Sequence, residues 1–201
     1  MHVARVVTRE VLRSGLRPDR IILTGQMQTS RWWVRDGRPL RRTILYGDVR
    51  ARKEAATCVT RSVRIALRAL TGNDQDASSL LAKGAWLERH EGDTVRDARA
   101  VLLGAADVLA YDLTGVAACD VTTASTTGLM DLEARAPVAT DVLAAVGLGP
   151  FAQRLPRFVP GGVQVGVVTA AAAAVWGFVE GTPVHVGPGD AGATTIGAGA
   201  G

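Results

Sequence analysis

Two short apolar runs that break at glycine constrain the fold of this chain more than any other feature. Ile21-Ile22-Leu23-Thr24 reads as a short buried strand running into Gly25, and Val184-His185-Val186 as a second strand, turned out by Gly187-Pro188-Gly189-Asp190. Around them the apolar residues follow helical spacing instead. Val3, Val6, Val7, Val11 and Leu12 form one such stretch, stopped by Ser14-Gly15 and Pro18 and preceded by no start signal. Asp48 is placed to cap a long helix over residues 49–70, with Val59, Val63, Ala66, Leu67 and Leu70 on one face. Further helices are expected over 78–90 and 107–113, the latter closed by Thr114-Gly115. Residues 32–34 and 44–46 flank Asp36-Gly37 as a hairpin or as paired extended segments. Residues 163–167 alternate like a strand, whereas the Thr/Ser-rich stretch 120–128 has little local signal. Short strands among longer helices predict an α/β domain.

With 201 residues, 47% of them hydrophobic, the chain is long enough for one domain with a substantial core. No run of eighteen or more apolar residues is present, and the first residues lack the apolar block of a signal peptide, so a cytoplasmic protein with no membrane contact is expected. Cys58 and Cys119 belong to no C-x-x-C pair, and His2, His90 and His185 are scattered, a pattern that predicts buried reduced thiols and no metal site. Charge is uneven. Residues 1–72 hold 16 Lys+Arg against 5 Asp+Glu, and residues 73–201 hold 7 against 14. The basic residues are nearly all Arg and are spread singly, with only Trp32 and Trp33 to stack on bases, so no nucleic-acid partner is expected.

Three segments hold chemistry. The strand and turn leading to Asp190 have the form of an α/β ligand site, in which glycines admit a ligand to the backbone and a carboxylate takes a proton from a hydroxyl. Asp190 equally suits the start of a helix over Ala191-Gly192-Ala193. Gln26, Met27 and Gln28 also follow a strand directly, and the two amides can orient polyol hydroxyls or simply form a polar loop. Asp48 and Arg50 are the third pair, with capping and surface charge as their alternative roles.

In order and spacing these segments resemble the FGGY carbohydrate kinases, the family of xylulokinase, gluconokinase and glycerol kinase. Residues 24–28 (TGQMQ) are similar to its sugar-binding G-Q-M-H stretch, and 44–50 (ILYGDVR) to its I-L-W-x-D-x-R. Lys83 with Trp86-Leu87 resembles K-x-x-W-L, 108–115 resembles D-Y-L-x-x-x-L-T-G, 120–125 resembles T-D-x-S-x-A-S, and Gly187-Pro188-Gly189-Asp190 resembles the G-G-G-D of the catalytic base. The resemblance covers nearly the whole chain.

It implies an RNase H-like (actin-like ATPase) fold, incomplete at its N-terminus. The activity implied is ATP-dependent phosphorylation of a sugar or polyol hydroxyl, with Mg2+. Asp190 would be the general base; Gln26, Met27, Gln28, Asp48 and Arg50 would bind the sugar; Gly187 and Gly189 would meet the nucleotide. Gln28 stands where xylulokinase-like members have His, Gly47 replaces an Asn or Gln, and Ala191 removes a polar neighbour, so the sugar does not carry over from any one member. Nothing before Thr24 resembles the family's D-x-G-T phosphate turn, and no second actin-like domain follows. Residues 1–201 are therefore expected to be an N-terminal-type domain without its first strands, inactive alone and exposing apolar edges. A non-catalytic fragment that binds a sugar or a partner stays open, as does homo-oligomerisation.

Overall fold

The structure, a computed structural model, describes residues 2–33, 39–57 and 60–199. In chain order its elements are α1 (His2–Arg13), β1 (Ile21–Leu23), β2 (Arg31–Trp33), α2 (Arg52–Thr57), α3 (Arg61–Thr71), α4 (Leu80–His90) and α5 (Gly92–Asp97). There follow β3 (Ala100–Leu102), α6 (Ala105–Thr114), β4 (Ala118–Asp120), α7 (Val121–Ser125), β5 (Met130–Asp131), β6 (Ala136–Pro137), α8 (Thr140–Ala145) and α9 (Gly149–Ala152). The last elements are β7 (Arg157–Val159), β8 (Gln164–Val167), α10 (Ala170–Trp176), β9 (Pro183–Val186) and α11 (Asp190–Gly197).

The sheet that organises the molecule has the order β1-β9-β8. β1 and β9 run parallel with Ile21 opposite Val184 and Leu23 opposite Val186, while β8 is antiparallel to β9 and bulges between Gln164 and Gly166. Three pairs lie outside it: β4 with β7 in parallel, β2 with β3 and β5 with β6 antiparallel. Two apolar cores flank this frame. Val184 and Val186 of β9 pack with Ala110 and Leu113 of α6, Val165 of β8 and Trp176 of α10. The larger core gathers Leu67, Leu80, Leu81, Leu87, Leu103, Leu129, Leu143 and Phe151 from α3, α4, α8, α9 and the segments between them. Each such fully buried Leu or Phe contributes about 1.5–3 kcal/mol by leaving water.

Helix ends follow local chemistry. Thr60, Ser79 and Thr169 accept hydrogen bonds from the amides of Val63, Ala82 and Ala172 to open α3, α4 and α10. Gly115 closes α6 with a φ of 72°, its N–H returned to the Tyr111 carbonyl, a left-handed conformation that glycine adopts without strain.

Several expectations need correction. The helix foreseen over 49–70 is two helices, because Thr60 opens a new one, and Val59 lies outside the described residues. Asp48 caps neither, since its carboxylate is taken by Arg50. Residues 34, 36 and 37 of the expected hairpin lie outside the described residues; β2 pairs with β3, and Ile44 of the second arm bridges Ser30, which precedes the first. The Thr/Ser-rich stretch contains the end of β4 and α7, whose amides are capped by Asp120. β1 is not buried: it is an edge strand, and Ile22 is 62% exposed. The valine stripe of α1 faces outward, with Val3 at 72% and Val7 at 57% exposure. The polar side of α1 docks instead, as Arg5 pairs with Asp112 at 3.2 Å and lies over the Trp176 ring. Cys119 is the buried free thiol the sequence predicts, and Cys58 lies outside the described residues.

Candidate functional site

Adjacent parallel strands deliver their following turns to the same end of a sheet, and β1 and β9 do so here. The turns are laced together. Gly187 N–H donates to the Leu23 carbonyl at 2.7 Å, the Thr24 hydroxyl to the Pro188 carbonyl at 2.7 Å, and Asp190 N–H to the Gly25 carbonyl at 2.9 Å. At Gly189 the approach is so close that a Cβ would overlap the Met27 side chain, which would have to move to admit any larger residue.

The result is a cavity of about 270 Å³ lined by Gln26, Met27, Gln28, Tyr46 and Asp190. Gln28 adopts a φ of 55°, unusual for a residue with a side chain, and its amide nitrogen donates to the Thr126 carbonyl at 2.8 Å. Its amide oxygen keeps acceptor capacity for a hydroxyl. Asp190 is the first residue of α11, solvent-exposed, with one carboxylate oxygen accepting from Ala191 N–H at 3.0 Å. Gly189, not Asp190, occupies the capping position, so the carboxylate keeps lone pairs for an incoming proton.

The expected sugar ligands divide. Gln26, Met27 and Gln28 meet Asp190 in the cavity, whereas Asp48 and Arg50 do not line it. Arg50 grips both Asp48 oxygens, at 2.9 Å through Nε and 2.7 Å through Nη2. This guanidinium fork holds the Asp48 carboxyl down at about 2. The same guanidinium lies 5.0 Å over the Trp86 ring. Gly187 and Gly189 lie at the turn, but their N–H groups are committed to the Leu23 carbonyl and, at 3.3 Å, to the Thr122 hydroxyl.

Residues that the motifs include but to which the sequence assigns no role complete the surroundings. Tyr46 enters the cavity from a loop whose carbonyls, at Leu45 and Tyr46, receive the Lys83 ammonium at 2.9 and 3.0 Å. Thr122 bonds Asp120, whose Oδ1 also accepts from Thr122 and Thr123 N–H at 2.9 and 3.1 Å, so the β9 turn is tied to the end of β4. Below Gly104, burial pushes the Asp107 carboxyl up to about 7, although Leu103 N–H donates to it at 3.1 Å. Burial pushes the adjoining Cys119 thiol up as well.

The family profile described as "FGGY family of carbohydrate kinases, N-terminal domain" matches residues 3–197. The chain is 38% identical over 118 residues to autoinducer-2 kinase of Escherichia coli K12, covering 57% of this chain and 21% of that protein. To the xylulose kinase of Streptomyces rubiginosus it is 35% identical over 164 residues, 81% of this chain and 33% of the other. The crystal structure of xylulose kinase from Rhodospirillum rubrum superposes with a TM-score of 0.85 at 32% identity, covering 98% of this chain and 40% of that one. The chain thus spans well under half the length of these relatives.

Proposed function

This chain belongs to the FGGY family of carbohydrate kinases through its N-terminal domain, and on that premise we propose that it forms the acceptor half of an ATP-dependent kinase for a sugar or polyol. The single observation behind this reading is that Gln26, Met27 and Gln28 share one cavity with Asp190. Small polar groups beside one carboxylate are what an acceptor hydroxyl needs, since phosphoryl transfer depends mainly on positioning and charge.

In this reading the amides of Gln26 and Gln28 orient the hydroxyls and Met27 covers the carbon skeleton. Tyr46 adds an amphipathic wall. Asp190 accepts the proton of the attacking hydroxyl as its oxygen bonds to the γ-phosphorus of ATP and ADP leaves. ATP enters as a co-substrate with Mg2+, as sugar kinases of this family use it. The N–H groups of Gly187 and Gly189 already have protein partners, which does not fit a phosphate cradle made of those two amides. The same fact favours a second reading, a sugar-binding chain without catalysis. Either way, the 201 residues alone are expected to show no ATP-dependent phosphorylation of pentuloses, polyols or glycerol.

A chimaera tests the first reading. Residues 3–197 would replace the matching segment of the Rhodospirillum rubrum xylulose kinase, and kcat would be measured on a panel of sugars and polyols. Asp190→Asn should lower kcat by roughly 10²- to 10⁴-fold with affinity for the acceptor and thermal stability little changed. Near-normal kcat in that variant would leave Asp190 as a structural residue and favour the non-catalytic reading.

A further inference from the structure

The loop that brings Tyr46 to the cavity has no strand or helix of its own between the bridge at Ile44 and α2. One buried side chain fixes it. Lys83 of α4 is fully buried, and its Nζ donates to the carbonyls of Leu45 and Tyr46, at 2.9 and 3.0 Å. A buried ammonium is tolerated only where acceptors receive it, and Asp48 and Asp76 add favourable charge while Arg50 opposes it. Two consecutive carbonyls turned to one cation is a backbone state that an unsupported loop leaves readily. Further along α4, at spacings of three and seven residues, the same face presents Trp86 and His90, whose rings stack at 4.9 Å. The Arg50 guanidinium rests on Trp86 and closes on Asp48. One face of α4 therefore holds the loop at both ends.

We propose that Lys83 is a positioning residue: it sets the Leu45–Tyr46 backbone so that Tyr46 completes the lining of the acceptor cavity, while Lys83 itself touches no ligand. The role in acceptor binding rests on the function proposed above; the hold on the loop does not.

The chain contains two tyrosines, Tyr46 in the loop and Tyr111, buried in α6. Labelling with 3-fluorotyrosine therefore gives two ¹⁹F resonances, assigned with Tyr46→Phe, one reporting the loop and one the core. Lys83→Met keeps an unbranched side chain of similar length without the ammonium, and Lys83→Gln keeps a single neutral donor group. Both should shift or broaden the Tyr46 resonance and leave that of Tyr111 in place. If Lys83→Met loses the Tyr111 resonance, Lys83→Gln is read in its stead. An unchanged Tyr46 resonance in a folded variant overturns the proposal, and so does loss of both resonances together in both variants, which would make Lys83 a core residue only. A second arm titrates xylitol as the probe. If the binding-competent loop conformer falls to about a tenth in Lys83→Met, the apparent Kd should rise about tenfold over wild type. An equal Kd in a variant with a displaced Tyr46 removes the link to binding. A wild-type chain with no response to xylitol or to the sugar panel counts against the proposed function and leaves the loop-holding role to the first arm.

Discussion

Asp107 is a carboxyl whose chemistry its surroundings change strongly. Its folded-state value of about 7 lies well above the ordinary 3.8, chiefly because burial removes solvent from the charge. The folded chain therefore holds a proton that the unfolded chain releases across roughly pH 4 to 7. Its contribution is fully present below pH 4 and declines as pH rises through 7, at about 1.4 kcal/mol per unit of displacement. Asp107→Asn should flatten the fall in unfolding free energy between pH 5 and pH 8, as read by urea denaturation; an unchanged slope would assign the titration elsewhere. Asp48 has the opposite sign: held at about 2 by Arg50, it stabilises above pH 4 and ceases to as pH falls toward 2. Among the site residues, Gln26, Met27, Gln28 and Asp190 were legible because each directly follows a strand, where an α/β sheet exposes its turns. Tyr46, Lys83 and Thr122 were not, because their roles depend on contacts spanning 37 to 67 positions that no local pattern encodes. Asp48 and Arg50 were legible as a pair of charges but not as partners of each other, two residues apart.

At the scale of elements, the link between the β4–α7 corner and the β9–α11 turn decides how firmly Asp190 is presented. It runs through one hydroxyl, since Thr122 donates to Asp120 and accepts from Gly189 N–H. Thr122→Val keeps the shape but takes a donor from a carboxylate that is 1% exposed and whose Oδ2 has no partner among the described residues. The expected loss is about 1–3 kcal/mol, with faster hydrogen exchange at the Gly189 amide and rescue by Thr122→Ser. Slow exchange retained at Gly189 would show that the β9 turn is held by its other bonds to β1 alone. The helices at 80–90 and 105–114 were readable because a side-chain cap or a terminal glycine marks their ends. The split between α2 and α3 was hidden because Val63, Leu67 and Leu70 continue the periodicity of a single helix and mask the new start at Thr60. β3, β4 and β7 have three residues each, too few for a period-two signal to stand out.

On the scale of the whole molecule, one apolar groove lies between α1 and the edge of the main sheet. β1 has β9 as its one sheet neighbour among the described residues, and beside its free edge lies a groove of about 440 Å³ lined by Val7, Val11, Leu12, Leu16, Ile22 and Phe178. An unpaired edge next to exposed valines is a template for association. The chain should therefore self-associate as its concentration rises in sedimentation velocity, and Ile22→Lys should return it to monomer. A native chain that stays monomeric at every concentration would mean that edge and groove are too small to bind a copy. The α/β class was evident from the sequence, but the division into two main cores was not, since β4 contributes to both, Ala118 to one and Cys119 to the other. The lacing of the β1 and β9 turns has a consequence in time. The Thr24 hydroxyl and the Pro188 carbonyl that it meets are 164 positions apart. Contacts of such separation form late, after most chain entropy has been lost. During synthesis the first half of the cavity leaves the ribosome long before its carboxylate, and it waits unpaired until residue 190 has been made.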